Sequence, residues 1–399
     1  MSEAYSAVVA GHLCLDIIPD MAHSAGDKFE ATFLPGRLLD VGPAAFSTGG
    51  AVSNTGLVLH KLGISTQLMG KVGDDLFGQA IRQIVGAHSP HLADGMIVAQ
   101  GVSTSYTVVI NPPGVDRIFL HCPGANDTFR ADDVRYDLLG RARLFHFGYP
   151  PLMRSMFEAG GAQLVEILRR AKETGVTTAL DMAFPDASSP AGRADWVTIL
   201  KATLPYVDIF LPSIEEILYM LRRETYRQLC QAAQGGSILP AISPALLSDL
   251  GRELLGMGVK IVGLKLGHRG LYVRTAGRAA VEALGRACPS DPAAWADQEL
   301  WASCFKVNVV GATGSGDSTI AGFLSALLRG MAPHEALTAA VAVGACNVEA
   351  ADALSGIRSW EETLRRVAGG WARHPLTLSA PGWHFDESRQ LWAGEVAGA

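Results

Sequence analysis

The chain has 399 residues, of which 48% are hydrophobic and 18% are charged, and its formal net charge is −6. This length and apolar content allow a large core, in one large domain or two smaller ones. The acidic balance and the lack of a basic run argue against a nucleic-acid partner. No apolar run approaches the roughly 18 residues that span a membrane, and no basic segment precedes the first apolar stretch as in a signal peptide.

Six cysteines are scattered along the chain without a C-x-x-C pair. In a chain of this length, such a distribution is typical of buried, reduced thiols rather than of a structural zinc site. We therefore expect a cytoplasmic protein.

Short apolar runs rich in β-branched residues alternate with helical stretches along most of the chain. Strands are predicted, in chain order, at 6–18, 65–73, 176–184, 208–213 and 259–267. Helices are predicted at 52–62 and 159–175, the second ending in basic residues and glycine as helices commonly do. This alternation predicts an α/β fold in which helices cover both faces of a largely parallel sheet.

Two regions depart from this rhythm. Residues of about 28–48 and 98–121 hold short β-like runs, and NPPG at 111–114 is typical of a hairpin turn. They predict a small antiparallel sheet apart from the main one.

Other segments lie outside the alternating pattern. Those at about 224–248 and 286–305 are interpreted as insertions into a main domain of residues 1–370. The remaining residues, 371–399, are interpreted as an irregular C-terminal extension that packs on that domain.

A glycine-rich loop, GATGSGDSTIAGF, begins at Gly311. Apolar residues at helical spacing follow it, so a helix is predicted to start near Ser315–Asp317. The backbone N–H groups of Gly314, Ser315 and Gly316 would then lie at the positive end of that helix and form an anion site. Taken alone, Asp317 is equally well explained as a carboxylate that caps the helix.

A second glycine cluster, STGGAVSNTGLVLHKLG, spans 47–63 and is followed by KVGDDLFG at 71–78. The pair Gly49 and Gly50 would let the backbone approach a ligand or hinge a lid. Asn54 falls in the first turn of the next helix, where it either presents an amide to a polar ligand or caps the helix.

Together these segments resemble the ribokinase-like (PfkB) family of carbohydrate and nucleoside kinases, over about residues 8–357. The family's two signatures correspond to the Gly-Gly…Asn…Gly-Asp stretch at 49–78 and to G-S-G-D with its helix at 314–324. Between and before them, GHLCLDI, PGAN, LPSIEE and GLKLGHRG are similar to further family motifs. The resemblance implies a three-layer α/β/α ribokinase-like fold with a mostly parallel central sheet and a small β lid.

The resemblance also implies an ATP-dependent kinase whose acceptor is a hydroxyl on a sugar or related polyol. Asp317 would be the general base, and Gly314, Ser315 and Gly316 would stabilise charge on the transferring phosphoryl group. Because a helix N-terminus lowers a carboxylate's pKa, Asp317 is expected to be an ionised, weak base.

Binding roles follow from the same resemblance. The acceptor would be bound by Asp16, Gly49, Gly50, Asn54 and Asn126. The nucleotide site would include Lys265, Gly267, Gly270 and Asn347, and Glu216 would act on Mg²⁺ through water.

For two of these residues a plainer interpretation remains open. Glu216 is also explained as an exposed glutamate at a helix start. Asn347 is also explained as a buried side chain whose amide bonds to backbone. His12, His121 and His146 are interpreted as structural.

The two β segments at 28–48 and 98–121 would form the lid over the sugar, whose closure excludes water from the reaction. Because such lids often serve as dimer surfaces in this family, a homodimer is predicted.

The sequence departs from the family at three places. Gly311 and Ala312 stand where an Asp-Thr pair is usual, so dependence on a monovalent cation is left open. Ser213 replaces the usual Asn of N-x-x-E. Residues 181–186 lack the Asn and Arg of D-x-N-x-R, which favours an uncharged acceptor.

Three alternatives remain. A nucleoside kinase would use an aromatic clamp, for which Phe33, Phe46 and Tyr106 are candidates. A non-catalytic sugar or nucleotide sensor would explain Gly311 and Ser213. A Rossmann dehydrogenase is disfavoured because no G-x-G-x-x-G follows the first strand.

Overall fold

The computed structural model describes residues 5–21, 35–36, 38–111 and 118–395. Its strands are β1 (Ala7–Gly11), β2 (Cys14–Pro19), β3 (Ala44–Gly49), β4 (Thr66–Met69), β5 (Lys71–Gly73), β6 (Ile97–Ala99), β7 (Tyr106–Ile110), β8 (Ile118–Cys122), β9 (Leu144–Gly148), β10 (Thr177–Leu180), β11 (Ile209–Phe210), β12 (Ile261–Lys265), β13 (Leu271–Thr275), β14 (Glu299–Ala302), β15 (Trp383–Asp386) and β16 (Leu391–Gly394). Its α-helices are α1 (Ala51–Lys61), α2 (Leu76–His88), α3 (Tyr136–Leu139), α4 (Ala162–Glu173), α5 (Pro190–Arg193), α6 (Trp196–Thr203), α7 (Ile214–Leu221), α8 (Arg223–Ala233), α9 (Pro244–Gly256), α10 (Arg278–Glu282), α11 (Pro292–Trp295), α12 (Ser315–Leu328), α13 (Pro333–Asn347) and α14 (Trp360–Ala368). No described helix combines the length and the apolar content that a membrane crossing requires.

Ten of the described strands form one central sheet, in the order β15-β16-β14-β13-β12-β11-β10-β9-β1-β4. From β4 to β12 every neighbouring pair is parallel, and from β12 to β15 every pair is antiparallel. Parallel strands end at the same edge, so the loops that follow β1, β9, β10, β11 and β12 meet there.

Alternation along the central strands places a separate core on each face of this sheet. In β1, Ala7 and Val9 belong to the core beneath α1, α2, α12 and α13. Val8 and Ala10 face the opposite core, beneath α4, α6, α7 and α9. Because both faces are covered, the strands are apolar at consecutive positions rather than at alternate ones.

A second sheet of four strands, in the order β3-β2-β7-β8, continues directly from β1 and stands apart from the central sheet. β2 pairs antiparallel with β3 and parallel with β7, and β7 pairs antiparallel with β8. The predicted small sheet is therefore present, but it is mixed rather than antiparallel, because the chain returns to β7 in the direction of β2. Much of its first segment, residues 28–34, and most of the predicted NPPG turn lie outside the described residues, as does Phe33.

Two parts of the predicted organisation differ from the structure. The segment 286–305, interpreted as an insertion, contains β14, which pairs with β13 inside the central sheet. The C-terminal segment, interpreted as irregular, forms the hairpin β15–β16, whose second strand pairs with β14. These strands were not predicted because β15 and β16 are only four residues long each, which is too short for an alternating pattern to stand out.

Candidate active site

The candidate site lies at the carboxyl edge of the parallel strands, where the start of α12 meets the start of α1. Tyr149 follows β9, Asp181 follows β10 and Lys265 ends β12. Asp317, in the first turn of α12, is 3% exposed and lies against α1. Chain segments that are far apart in sequence therefore converge on one carboxylate.

The carboxylate of Asp317 accepts hydrogen bonds from three side chains. Asn54 donates through Nδ2 to Oδ2 at 3.0 Å, and Thr55 donates through its hydroxyl to Oδ1 at 3.3 Å. The Tyr149 hydroxyl lies 2.9 Å from Oδ1 and 2.7 Å from Oδ2. The carboxylate makes no capping bond, since the N-cap residue of α12 is Gly314 and no side chain caps the helix. This geometry does not fit the capping interpretation of Asp317.

The predicted shift in the pKa of Asp317 was wrong: a lowered pKa was expected, and the pKa is raised. Burial raises the pKa of this carboxyl above its usual value, although Lys265 and the three donors act to lower it. Desolvation of the charged form outweighs these favourable interactions because the side chain is almost completely enclosed.

The loop before α12 borders a cleft of about 400 Å³. Gly314 adopts a left-handed conformation with φ of 72°, and Gly316 lies beneath Lys265, whose Nζ is 3.6 Å from the position that a Cβ would take. The N–H of Ser315 donates to the carbonyl of Ala312 at 3.3 Å. The predicted anion-binding loop and a lysine ammonium therefore share one side of the cleft.

Glu216 and Ser213 form a capping box at the start of α7. The N–H of Ser213 donates to the Glu216 carboxylate at 2.6 Å, and the N–H of Glu216 donates to the Ser213 hydroxyl at 3.2 Å. Glu216 nevertheless lines the cleft and is only 9% exposed, so it is not the exposed glutamate of the plainer interpretation. Burial raises its pKa, and the charge of Lys265 opposes that rise.

Only some of the predicted nucleotide-binding residues line this cleft. Lys265 and Gly267 do, whereas Gly270 and Asn347 are not among the lining residues. Gly270 closes the loop after β12 with φ of 96°, and a Cβ there would lie 1.9 Å from the carbonyl oxygen of Ala302. Asn347 is fully buried, and its Nδ2 donates to the carbonyl of Ala353 at 2.8 Å, whereas its Oδ1 has no partner among the described residues, so the plainer interpretation holds for half of the amide only.

The predicted acceptor-binding residues lie at the junction of the small sheet with α1. Asp16 on β2 faces Gly49 on β3, where a Cβ would lie 2.4 Å from the Asp16 carboxylate. Glycine is therefore required at this position if the carboxylate is to keep its place. Gly50 is the N-cap residue of α1, with φ of 89°. Burial raises the pKa of Asp16 to about 6.

The oxygen and the nitrogen of the Asn126 side-chain amide both bond to Leu13, in the loop between β1 and β2. Leu13 donates its N–H to Asn126 Oδ1 at 3.2 Å, and Asn126 Nδ2 donates to the Leu13 carbonyl at 2.9 Å. The predicted contact with the acceptor remains a prediction, and the observed role is to hold this loop.

Two histidines join the small sheet to the loop after β1. The Nε2 atoms of His12 and His121 are 3.4 Å apart, and His121 Nδ1 lies 3.0 Å from the hydroxyl of Thr107. Burial lowers the pKa of His12 to about 3, so its imidazole is neutral.

For the predicted aromatic clamp, Tyr106 packs edge-on against Phe77 of α2 at 5.3 Å between ring centroids. Phe46 is 56% exposed on the small sheet. In the part of the chain that the structure describes, these two rings therefore do not form a stacking pair.

Two residues of the site were not predicted from the sequence. Tyr149 has φ of 63° and ψ of 45°, a left-handed conformation that is costly for a residue other than glycine. Burial and the Asp317 charge raise its pKa well above the usual value, so it remains a donor. The only sequence signal was its position directly after a buried strand.

Asp181, the other unpredicted residue, is fully buried near His146, whose Nε2 lies 3.6 Å from Asp181 Oδ1. Neither carboxylate oxygen of Asp181 has a hydrogen-bond partner among the described residues. Burial raises its pKa well above the usual value, and the charges of Asp317 and Glu216 add to the rise.

Comparison with known proteins identifies the family of this chain. The family model for the pfkB family carbohydrate kinases matches residues 8–360. The chain belongs to the pfkB family of carbohydrate kinases. This confirms the family, the kinase class and the ribokinase-like fold that the sequence motifs indicated.

Among curated relatives, the kinase is 27% identical over 272 residues to an uncharacterized sugar kinase of Archaeoglobus fulgidus, which covers 68% of this chain and 86% of that protein. It is 26% identical over 227 residues to fructokinase-2 of Oryza sativa subsp. japonica, which covers 55% of this chain and 61% of that protein. The match to the rice protein thus spans about three fifths of its length.

Solved structures agree on the fold. A ribokinase of Arabidopsis thaliana complexed with ribose and ATP has a TM-score of 0.66 at 19% identity, over 91% of this chain and 98% of that one. A fructokinase of Xylella fastidiosa with bound ATP has a TM-score of 0.66 at 18% identity, over 92% of this chain and 99% of that one.

Proposed function

We propose that this kinase transfers the γ-phosphoryl group of ATP to a hydroxyl of an uncharged sugar, with Asp317 as the general base. The observation that carries the proposal is the enclosed carboxylate of Asp317, held by Asn54, Thr55 and Tyr149 beside a glycine loop and Lys265. The names of the relatives, which include fructokinases and ribokinases, support a sugar as the acceptor.

The hydrogen bonds of Asp317 limit how an acceptor can approach. A carboxylate offers about four lone-pair sites, and Asn54, Thr55 and Tyr149 each donate one proton to it, the single Tyr149 proton being shared between the two oxygens. Three of the sites are therefore used, and one remains for an acceptor hydroxyl. The Thr55 contact is the longest, at 3.3 Å, and we expect it to yield first if the acceptor needs more room.

The other side of the cleft is suited to negative charge. Lys265 supplies a full positive charge, and the first turn of α12 supplies N–H groups that have no partner within the helix. In phosphoryl transfer the protein acts mainly by positioning and by stabilising charge on the moving group. Gly314 and Gly316 would do so through their backbone N–H groups, Ser315 would do so on exchanging its long bond to Ala312, and Lys265 would do so through its ammonium.

The carboxylates present fit Mg²⁺. Asp181 has two buried oxygens without hydrogen bonds among the described residues, and Glu216 lines the cleft with one oxygen engaged by Ser213. Mg²⁺ prefers oxygen ligands and retains water, so few protein ligands are needed. Glu216 would hold the hydrated ion, and a cation bound nearby would favour the ionised form of Asp181. The bound ion would neutralise charge on the phosphates.

The acceptor side carries small polar groups and no basic side chain among the residues predicted to bind there. Asp16 and Asn54 are hydrogen-bonding groups of a size that suits sugar hydroxyls, and His12 and His121 flank them. This composition supports an uncharged acceptor rather than a sugar phosphate, which would call for an arginine or lysine.

The decisive experiment compares Asp317→Asn with the wild type in a coupled assay of ADP release over a panel of sugars and nucleosides. Loss of a general base lowers turnover by about 10²–10⁴-fold. We expect the variant to bind ATP and the sugar with affinities close to those of the wild type. Turnover near the wild-type rate would refute Asp317 as the base, and a preference for nucleosides would refute the sugar.

A further inference from the structure

A second cavity, of about 460 Å³, lies between the end of β14, residues 373–377 and the hairpin β15–β16. Apart from the end of β14, its walls come from residues beyond 360, where the family match ends. None of the residues assigned above to catalysis or binding lines it. Its size falls in the range of small-molecule sites.

Aromatic rings form much of this wall. Trp301 donates its indole N–H to the carbonyl of Arg269 at 2.9 Å, and Trp392 donates to the carbonyl of Leu376 at 2.8 Å. Trp301 is fully buried and the Arg269 guanidinium lies over its ring, so the indole surface open to the cavity is that of the half-buried Trp392. Phe385 packs edge-on against Trp392 and is 39% exposed. A ring can therefore stack here, as sugars and bases do on aromatic side chains.

The cavity also contains a cation without an acidic partner. Arg373 donates to the carbonyl of Ser303 at 2.8 Å and to the hydroxyl of Thr338 at 3.0 Å, and its guanidinium lies 4.3 Å from the centre of the Phe305 ring. These bonds use two of its five N–H groups. No Asp or Glu lines the cavity, and among the described residues Arg373 has no ion pair.

The chemistry of the lining therefore selects for an anion that carries a ring. Guanidinium groups bind phosphate oxygens through paired N–H donors. His374 also lines the cavity beside Arg373 and has a ring N–H that can donate to an anion. Gln390 at the hairpin turn also lines the cavity, but its Nε2 already donates to the carbonyl of Glu387 at 2.9 Å, so Arg373 is the group that would hold the anion.

The walls of this cavity contact the loop after β12. Trp301 bonds to Arg269, and the Arg269 guanidinium lies 4.7 Å from the centre of the Trp301 ring. The N–H of His374 donates to the carbonyl of Cys304, whose thiol lies 3.3 Å from the carbonyl oxygen of Gly267. Gly267 lines the catalytic cleft, so the short loop Gly267–Gly270 connects that cleft with the walls of the second cavity.

We propose that the C-terminal hairpin builds a second ligand site, for a phosphate monoester attached to a ring, and that its occupancy alters nucleotide affinity through the Gly267–Gly270 loop. This proposal goes beyond phosphoryl transfer. It requires only binding, so it can be tested without turnover.

The test is isothermal titration calorimetry on the full chain with three probes: glucose 6-phosphate, adenosine monophosphate and glucose. We expect one of the two phosphate esters to bind, and glucose to bind at least about tenfold more weakly. The ester that binds identifies the source as a sugar phosphate or a nucleotide. Arg373→Gln should weaken the binding by about tenfold to a hundredfold, the effect of losing a hydrogen bond to a charged group. Lys265→Met, in the catalytic cleft, should leave it unchanged.

Two further variants guard against a trivial loss of structure. Phe385→Ala removes part of the stacking surface without removing a bond that holds the hairpin, and should also weaken binding. Arg389→Gln changes an arginine on the same hairpin that does not line the cavity, and should not. If Arg373→Gln does not fold, as judged by thermal unfolding, Phe385→Ala decides the outcome.

Several results would overturn the proposal. One is the absence of saturable binding of either ester at millimolar concentrations. Another is binding that Lys265→Met abolishes and the Arg373 or Phe385 variant leaves intact, which would place it in the catalytic cleft. Glucose binding of equal affinity that Arg373→Gln or Phe385→Ala weakens, and that therefore occurs in this cavity, would overturn the anion selectivity. An unchanged affinity for an ATP analogue at saturating ester would overturn the link to the loop.

Discussion

Tyr149→Phe removes one hydroxyl from the candidate site and should change the pH dependence of the kinase. The hydroxyl contacts both oxygens of Asp317, at 2.7 and 2.9 Å. The backbone of Tyr149 is held in a left-handed conformation. Such a conformation costs about 1–3 kcal/mol in a residue other than glycine. We infer that the fold tolerates this cost because it directs the phenol at the base.

The size of the effect follows from the bond itself. A hydrogen bond to a charged group contributes about 1.5–3 kcal/mol, and about 1.4 kcal/mol corresponds to one pKa unit. The Tyr149 bond lowers the pKa of Asp317 against the rise that burial causes. Without it, the pKa of Asp317 should rise further, by about one to two units. Because the base acts only when ionised, activity is lost as the pH falls through this pKa.

The assay is the pH profile of kcat/KM for the sugar. We expect the acidic limb of the Tyr149→Phe profile to shift upward by about one to two units. Thr55→Val serves as the matched control, because it removes the longer contact at 3.3 Å and should shift the limb much less. An acidic limb in Tyr149→Phe that coincides with the wild type, in a variant of normal thermal stability, would refute the reasoning.

Three further predictions concern the acceptor, the capping box and the metal. Since burial raises the pKa of Asp16 to about 6, its carboxylate is ionised above that pH, and the KM for the sugar should rise as the pH falls through about 6. In Asp16→Asn the KM should be higher and nearly constant over this range, and a constant wild-type KM would contradict the role. Ser213→Ala breaks the capping box and should lower the free energy of unfolding by about 1 kcal/mol in urea titrations, with little effect on kcat. Glu216→Gln should instead raise the Mg²⁺ concentration needed for half-maximal rate, and an unchanged requirement would leave Glu216 as a capping residue only.

The local signals in the sequence were sufficient for the central features of the fold. The helix from Ala51 to Lys61 and the helix from Ser315 were predicted close to their observed bounds, because glycines and apolar periodicity mark both. The alternation of strands and helices predicted the covered, mostly parallel sheet. The order of two glycine signatures indicated the family, which the family model confirms.

Features that depend on contacts between distant segments were not predictable in the same way. Nothing in the neighbourhood of Tyr149 indicates that its hydroxyl reaches Asp317, which is 168 residues away. The C-terminal strands escaped notice because they are short and acquire their pairing only from β14. The pKa of Asp317 was predicted in the wrong direction because the helix terminus is visible in the sequence, whereas the burial is not.

A raised pKa suits Asp317 to its proposed role as general base better than the lowered pKa predicted from the sequence would. A carboxylate with a low pKa is a poor match for an alcohol proton, and general-base catalysis is most efficient when the pKa of the base lies near the working pH. Burial raises the pKa of Asp317, while Lys265 and three hydrogen-bond donors act to lower it. The same enclosure holds the carboxylate in one orientation. A buried base of this kind gains strength and alignment from one structural cause, which an exposed carboxylate at a helix start would lack.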